Sequence, residues 1–171
     1  FQILDERESD SIVAELVHAW LRSHPNDLSA YLKPDIDDHW LNRIQRDALP
    51  ELLQSLAQNS IRFAKDNSWT SSALMERLGQ LPMPLPLAEL GANFYTDYQR
   101  ALAYRGAVDF DDLNRLALLI LKQDNDLVTR LQKQWPYILE DEAQDSSQLQ
   151  QDILSILTEG HGNWVRVGDP N

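Results

Sequence analysis

Ile12, Val13, Leu16, Val17, Trp20 and Leu21 recur at three- and four-residue intervals, which predicts one amphipathic helix from about Ser11 to Ser23. His-Pro-Asn-Asp (24–27) ends it, because a proline disfavours helical backbone at the residue before it. A second helix is predicted over about Asp37–Asp47, and a third after Pro50, a residue suited to a first helical turn. In that third helix Leu52, Leu53, Leu56, Ile61 and Phe63 are expected to form the buried face. Ser71–Leu78 makes a shorter helix, with Thr70 or Ser71 as its cap. Pro82, Pro84 and Pro86 then alternate through LPMPLPL, a spacing that precludes regular helix and favours an extended path. A stiff loop packing Leu81, Met83, Leu85 and Leu87 is expected there in preference to a peptide-recognition strip. A long helix follows from about Leu87 to Tyr104, with Leu90, Phe94, Tyr98 and Leu102 to one side. Gly106, able to take positive φ, stops it.

Beyond Gly106 the texture changes. Asp109 is placed to cap a helix over Phe110–Lys122, and Asp124 or Asn125 to cap the next, to about Gln134. Tyr-Ile-Leu-Glu (137–140) reads as a short strand that runs abruptly into Asp-Glu-Ala-Gln-Asp. Ser147 and Gln150 have capping-box spacing for a helix to about Thr158. Gly-His-Gly-Asn (160–163) breaks that helix, and Trp-Val-Arg-Val (164–167) reads as a second strand. Two strands around one helix predict a parallel β-α-β unit. Alone it would expose its strand edges, so further sheet is expected to be supplied from outside these residues.

Composition narrows the classes. With 43% hydrophobic residues in 171, the chain can bury a core. Zero Cys excludes disulfides and thiolate metal sites and fits a reducing cytoplasm. No apolar run approaches the ~20 residues needed to cross a bilayer, so no membrane partner is expected. Phe1–Asp10 has neither the cationic start nor the apolar stretch of a signal peptide, and a start at Phe1 rather than Met is expected of a trimmed chain or of processing. The formal charge of −12 argues against autonomous nucleic-acid binding, which is driven by phosphate contacts. Residues 1–105 hold 10 basic and 15 acidic side chains, and 106–171 hold 5 and 12, so neither half is basic.

The arrangement with chemical content is strand followed by acid. A hydrophobic strand ending at Leu139 or Glu140 delivers Asp141 and Glu142 to the carboxyl edge of a parallel sheet, where open α/β folds bind ligands. One carboxylate there can hold Mg²⁺, a hard cation preferring oxygen, and its neighbour can orient a water for attack on a phosphate. The second strand also ends in an acidic loop, Gly168-Asp169, so the two can line one cleft.

ILEDEAQDSS (138–147) followed by VGDPN (167–171) resembles motifs II and III of the UvrD/Rep-like superfamily 1 helicases, whose patterns are a hydrophobic strand plus D-E-x-Q-D, then V-G-D-x-x-Q. VDFDDL (108–113) is similar to the D-F-x-x-L segment preceding motif II, and Phe1–Asp5 resembles the entry into that family's helical insertion, subdomain 1B. The resemblance spans the chain and is sharp from Val108 onward.

The resemblance implies a mainly α fold: a helical 1B-like domain over 1–105 joined to a partial 1A-like ATPase core over 106–171. That core would be a small α/β, parallel-sheet, P-loop-type piece with about two short strands. It implies that Asp141 coordinates the Mg²⁺ of MgATP and that Glu142 is the general base. Gln144 and Asp145 would relay between nucleotide and the motif III loop, which holds Gly168 and Asp169; the family's motif III Gln falls after Asn171. Phe110 and Asp111–Leu113 would lie towards DNA. The intact protein would use ATP and Mg²⁺ to translocate on single-stranded DNA and separate duplex, in DNA repair and in the cytoplasm.

No G-x-x-x-x-G-K-[ST] loop occurs in the chain, so these residues by themselves are expected to hydrolyse no ATP and to hold no cofactor. A helical protein-interaction domain with a non-catalytic helicase-like tail, or part of a helicase–nuclease assembly, are the competing readings. Other features have plain explanations. Trp20 and Trp164 are expected in the core, Trp40 and Trp69 nearer the surface, where DNA stacking is the less expected role. His18, His24 and His39 lack zinc-ligand spacing, and Asp35, Asp37 and Asp38 are expected as a loop and helix cap, without the glycine and glutamate of a calcium loop.

Overall fold

The computed structural model describes residues 1–25, 27, 37–160 and 162–169, excluding the side chains of residues 38, 41 and 42. Asp35, Asn26 of the first predicted break, His161 of the second, and Asn171 lie outside the described residues. The chain packs as two compact units, residues 1–64 with 69–109, and residues 65–68 with 110–171.

In the first unit, β1 (Gln2–Ile3) pairs in parallel with β2 (Ala107–Val108), in register Gln2 to Ala107 and Ile3 to Val108. Neither strand is legible in the sequence, because two residues carry no alternation. Helix α1 (Glu6–Ser23) starts earlier than the apolar stripe implies. Its start is set by a reciprocal cap: the Glu8 amide donates to Asp5 Oδ1 at 2.8 Å and the Asp5 amide to Glu8 Oε2 at 2.9 Å. Helix α2 (Asp38–Arg43) continues into a π-helical turn at Ile44–Ala48 and then α3 (Leu49–Asp66). Asp37 acts as the expected cap, accepting from the Trp40 amide at 2.9 Å. Helix α4 (Ser71–Gly79) is capped by Thr70, and α5 (Pro86–Arg105) begins on Pro86 and ends at Gly106 with φ 61°.

The core of this unit is built from α1, α3, α4 and α5, with Ile12, Val17, Leu53, Phe94, Tyr95 and Tyr98 almost wholly excluded from solvent. On α3 the buried face is Leu53, Ala57, Ile61 and Ala64, whereas Leu52 and Phe63 are 64% and 55% exposed, contrary to expectation. The small Ala57 and Ala64 occupy positions that helical geometry turns inward, and hydrophobicity alone did not distinguish them from larger neighbours. At Gly91 a Cβ would overlap the Ser60 hydroxyl, so glycine permits the close approach of α3 and α5 there. The proline segment is a bent connection, but Leu81, Met83, Leu85 and Leu87 are exposed rather than packed. Alternate prolines fix the path without turning the leucines towards a core. Trp20 packs half-buried on the core as expected. Trp69 does so too, against its expected place nearer the surface, with the Arg77 guanidinium 4.4 Å over its ring and Phe63 edge-on. Trp40 is 53% exposed.

The second unit carries α6 (Phe110–Gln123), α7 (Asn125–Gln134), β3 (Ile138–Glu140), α8 (Gln148–Thr158) and β4 (Trp164–Arg166). Asp124 caps α7 and Ser147–Gln150 forms the expected capping box of α8. Leu118 and Leu121 of α6 and Leu149 and Leu157 of α8 are its buried leucines. Lys65, wholly buried, pairs with Asp112 at 3.0 Å, and Arg115 reaches the same carboxylate at 3.5 Å. Strands β3 and β4 are parallel, Ile138 against Trp164, Leu139 against Val165 and Glu140 against Arg166. This is the predicted β-α-β unit, and the fold is the predicted helical body with a small parallel α/β piece. Leu139 is 78% exposed, and Val165 and Val167 are also exposed, so one face of the pair lacks cover among the described residues. No helix among the described residues is long and apolar enough to cross a membrane.

Candidate functional site

At the carboxyl end of β3 the chain makes two bent residues, Asp141 and Glu142, then a 3₁₀ turn at Ala143–Asp145. Neither of the two acids lies in a helix. Glu142 has φ 52° and ψ 42°, left-handed backbone that an L-residue adopts at a cost of about 1–2 kcal/mol. The Glu142 amide donates to its neighbour's Asp141 Oδ1 at 3.0 Å, and the Asp145 amide to the Glu142 carbonyl at 2.9 Å. The pleat of β3, the 3₁₀ turn and one strained residue together present the acidic pair at the strand's end.

The adjacent loop after β4 is stitched to this one. The Val167 amide donates to the Glu140 carbonyl at 2.8 Å, and the Ala143 amide to the Val167 carbonyl at 2.9 Å. Above this backbone ladder one side chain joins the loops. Gln144 Nε2 donates to Glu142 Oε2 at 2.6 Å, while its Oε1 accepts from the Asp169 amide at 3.0 Å. A Cβ on Gly168 would overlap Gln144 Oε1 and sit 3.1 Å from the Ala143 nitrogen. Glycine there is a requirement of closeness, not of φ.

The structure therefore brings Glu142, Gln144, Gly168 and Asp169 together. Asp141 and Asp145 belong to the same loop through its backbone bonds. Phe110, 59% exposed, and half-buried Asp111 open α6 and stand outside this loop. Among the described residues no three His, Asp or Glu side chains converge to cage a metal. A concavity of about 440 Å³ lined by Ile120, Gln123, Asp124, Asn125 and Asp126 lies at the α6–α7 junction and contains none of the acidic-loop residues.

Sequence reasoning missed the group beneath the loop. Glu140, the last residue of β3, is 9% exposed, yet its carboxylate is saturated. It accepts from the Ser146 hydroxyl, from Trp164 Nε1 at 2.9 Å, from Arg166 Nε at 2.7 Å and from a second Arg166 nitrogen at 3.4 Å. The Ser146 hydroxyl and then the Arg166 guanidinium hold this carboxyl below the usual range, outweighing the burial that opposes them. Arg166 also lies 4.9 Å over the Trp164 ring and donates to the Ala143 carbonyl at 3.3 Å. The available signal was a charged residue at the end of one predicted strand and an arginine inside the other.

The two loops meet at the carboxyl ends of paired parallel strands, where open α/β folds bind ligands. Residues 1–171 match the family described as the UvrD/REP helicase N-terminal domain. A probable DNA helicase II homolog of Mycoplasma capricolum is 29% identical over 82% of the chain, and an ATP-dependent helicase/nuclease subunit of Listeria monocytogenes is 31% identical over 80%. The ATP-dependent DNA helicase PcrA of Leuconostoc citreum is 37% identical over 47%. The chain spans 20% of the first relative's length and 11% of each of the others. With strand, acidic loop, Gln bridge and glycine contact all carried by the matched residues, the chain belongs to the UvrD/REP helicase N-terminal domain family.

Proposed function

We propose that this chain is the part of an ATP-driven DNA helicase motor that carries the acidic loop of its nucleotide site. The observation that carries the reading is Gln144, hydrogen-bonded at once to the Glu142 carboxylate and the Asp169 amide across two loops. Asp141 is the Mg²⁺ ligand in this reading, with Asp145, Gly168 and Asp169 completing the nucleotide-facing set. Carboxylate oxygens suit that hard cation. Mg²⁺ held with ATP by Asp141 would supply charge neutralisation at the phosphates.

Glu142 takes the proton of the attacking water. Its Oε2 is held by Gln144, which fixes the carboxylate's direction and leaves the other oxygen for the water. Any shift of the Gly168–Asp169 loop is passed to Glu142 through the same amide, giving the chain a short mechanical path from its second loop to its base. Residues 1–105 act as the 1B-like helical domain and 106–171 as the 1A-like core, with Phe110 and Asp111 towards DNA. The whole protein works in the cytoplasm on ATP and DNA. Lacking a phosphate-binding lysine loop, these 171 residues alone turn over no ATP.

The test is made in the full-length protein. Glu142→Gln should abolish DNA-stimulated ATP hydrolysis while leaving nucleotide binding; unchanged turnover removes Glu142 from the role of base. The similarity to a helicase/nuclease protein favours a second reading, in which the motor serves a nuclease; metal-dependent DNA cleavage by the full-length protein would distinguish it.

A further inference from the structure

We infer that Glu140 and Arg166 are positioning residues of the reaction, an ion-pair clamp that sets the acidic loop rather than merely stabilising the strands. The inference rests on the acidic loop being the hydrolytic site.

The argument begins with cost. A carboxylate at the inner end of a strand loses its hydration, and an apolar side chain in its place would carry no such penalty. Glu140 recovers the loss by filling its acceptor positions with four donors: the Ser146 hydroxyl, Trp164 Nε1 and two guanidinium nitrogens of Arg166. A carboxylate so occupied has no lone pair left for a cation or a water, so its contribution is to hold other groups.

What it holds is the loop's frame. Glu140 is the residue before Asp141 and Ser146 the residue after Asp145, so their bond closes the acidic loop at its two ends. Arg166 then reaches the loop's middle, donating to the Ala143 carbonyl at 3.3 Å. Because Arg166 is also the register partner of Glu140 in β4, the same guanidinium ties that frame to the strand that leads into Gly168 and Asp169. Entry, centre and exit of the loop, and the neighbouring strand, meet on one ion pair. Glu142 lies within this frame at φ 52°, a conformation that needs outside support to persist. The exposed Gln144 bridge orients the Glu142 side chain, whereas the ends and middle of the loop are tied by Glu140, whose side chain is 7% exposed, and by Arg166, 37% exposed.

The experiment is ATPase kinetics of the full-length protein with Glu140→Gln, Arg166→Gln, the double variant and Glu142→Gln, each with its melting temperature and its affinity for ATP measured by equilibrium binding. Glu140→Gln is close to isosteric and keeps the strand's volume. The expected result is a roughly 10- to 100-fold fall in kcat for each single variant, as for other loss of support behind a reacting group, with ATP affinity within about twofold of wild type. The double variant should be no worse than the worse single one, because both disable one clamp. Should Glu140→Gln fail to fold, Arg166→Lys, which keeps the charge and loses the forked contact, is expected to give the same kcat loss at unchanged ATP affinity. A lowered melting temperature with unaltered kcat would overturn the clamp and leave a merely structural pair. If Glu142→Gln is inactive while the clamp variants turn over normally, the inference fails and the reading of the site stands. If Glu142→Gln itself turns over normally, the reading of the site fails first.

Discussion

Glu142 offers a test in which backbone strain and chemistry are read separately. Its φ of 52° and ψ of 42° place a non-glycine residue in left-handed space. That conformation costs an L-residue about 1–2 kcal/mol relative to ordinary backbone, because Cβ meets the carbonyl oxygen. Glu142→Ala retains the strain and loses the Gln144 contact; Glu142→Gly loses the same contact but relieves the strain. Against the relief stands the greater freedom of glycine in the unfolded chain, about 0.5–1 kcal/mol. Setting the relief against the entropy, Gly should exceed Ala in stability by about 0–1.5 kcal/mol, with a midpoint of about 0.75, reversing their usual order. Urea unfolding followed by tryptophan fluorescence, with both variants at equal concentration, measures that difference. In the proposed mechanism both are inactive in the full-length protein, so turnover is lost alike while stability separates the two. An Ala variant more stable than the Gly variant by about the ordinary 0.5–1 kcal/mol would refute the claim that the loop holds Glu142 under strain.

Gly168→Ala should displace Gln144 Oε1 from the Asp169 amide, costing about 0.5–1.5 kcal/mol for an exposed hydrogen bond and lowering ATPase turnover; adding Gln144→Ala should bring little further loss of turnover, and full additivity would deny the bridge. Asp112→Ala removes the carboxylate 3.0 Å from wholly buried Lys65 and should destabilise by roughly 3–5 kcal/mol in chemical denaturation, while a loss below about 1 kcal/mol would place the pair among surface bridges. The Glu140 carboxyl titrates below its ordinary value of 4.5 in the folded chain, so its stabilising effect is complete above that value and is lost as pH falls through the lower folded one. Glu140→Gln should therefore flatten the acid limb of a stability–pH curve, and an unchanged limb would mean that Glu140 is not held ionised.

Much of this was legible in the chain order of residue types. Helix existence followed from apolar spacing, the α8 start from Ser147 and Gln150, the α5 end from Gly106, and the parallel strand pair from two short apolar runs flanking a helix. The acidic loop was legible for the same reason: an abrupt change from strand to carboxylates is a local event, decided by neighbours in sequence. Family membership is carried by a match over residues 1–171.

Tertiary structure decided what depends on distance between segments. Whether Leu52 or Ala57 faces inward is set by where α3 meets other helices, and the exposed leucines around Pro82–Pro86 show that apolar content alone does not place a side chain inside. The two-residue strands β1 and β2 exist only because residues more than 100 positions apart meet in register. Glu140 reads in sequence as one more acid beside Asp141 and Glu142. It is the arrival of Arg166 and Trp164 from the next strand, with Ser146 from the loop's far end, that turns it from a solvated charge into a buried one. Local patterns are governed by the chain's own periodicity, whereas burial and ion pairing are properties of pairs of surfaces, which exist only once the chain has folded.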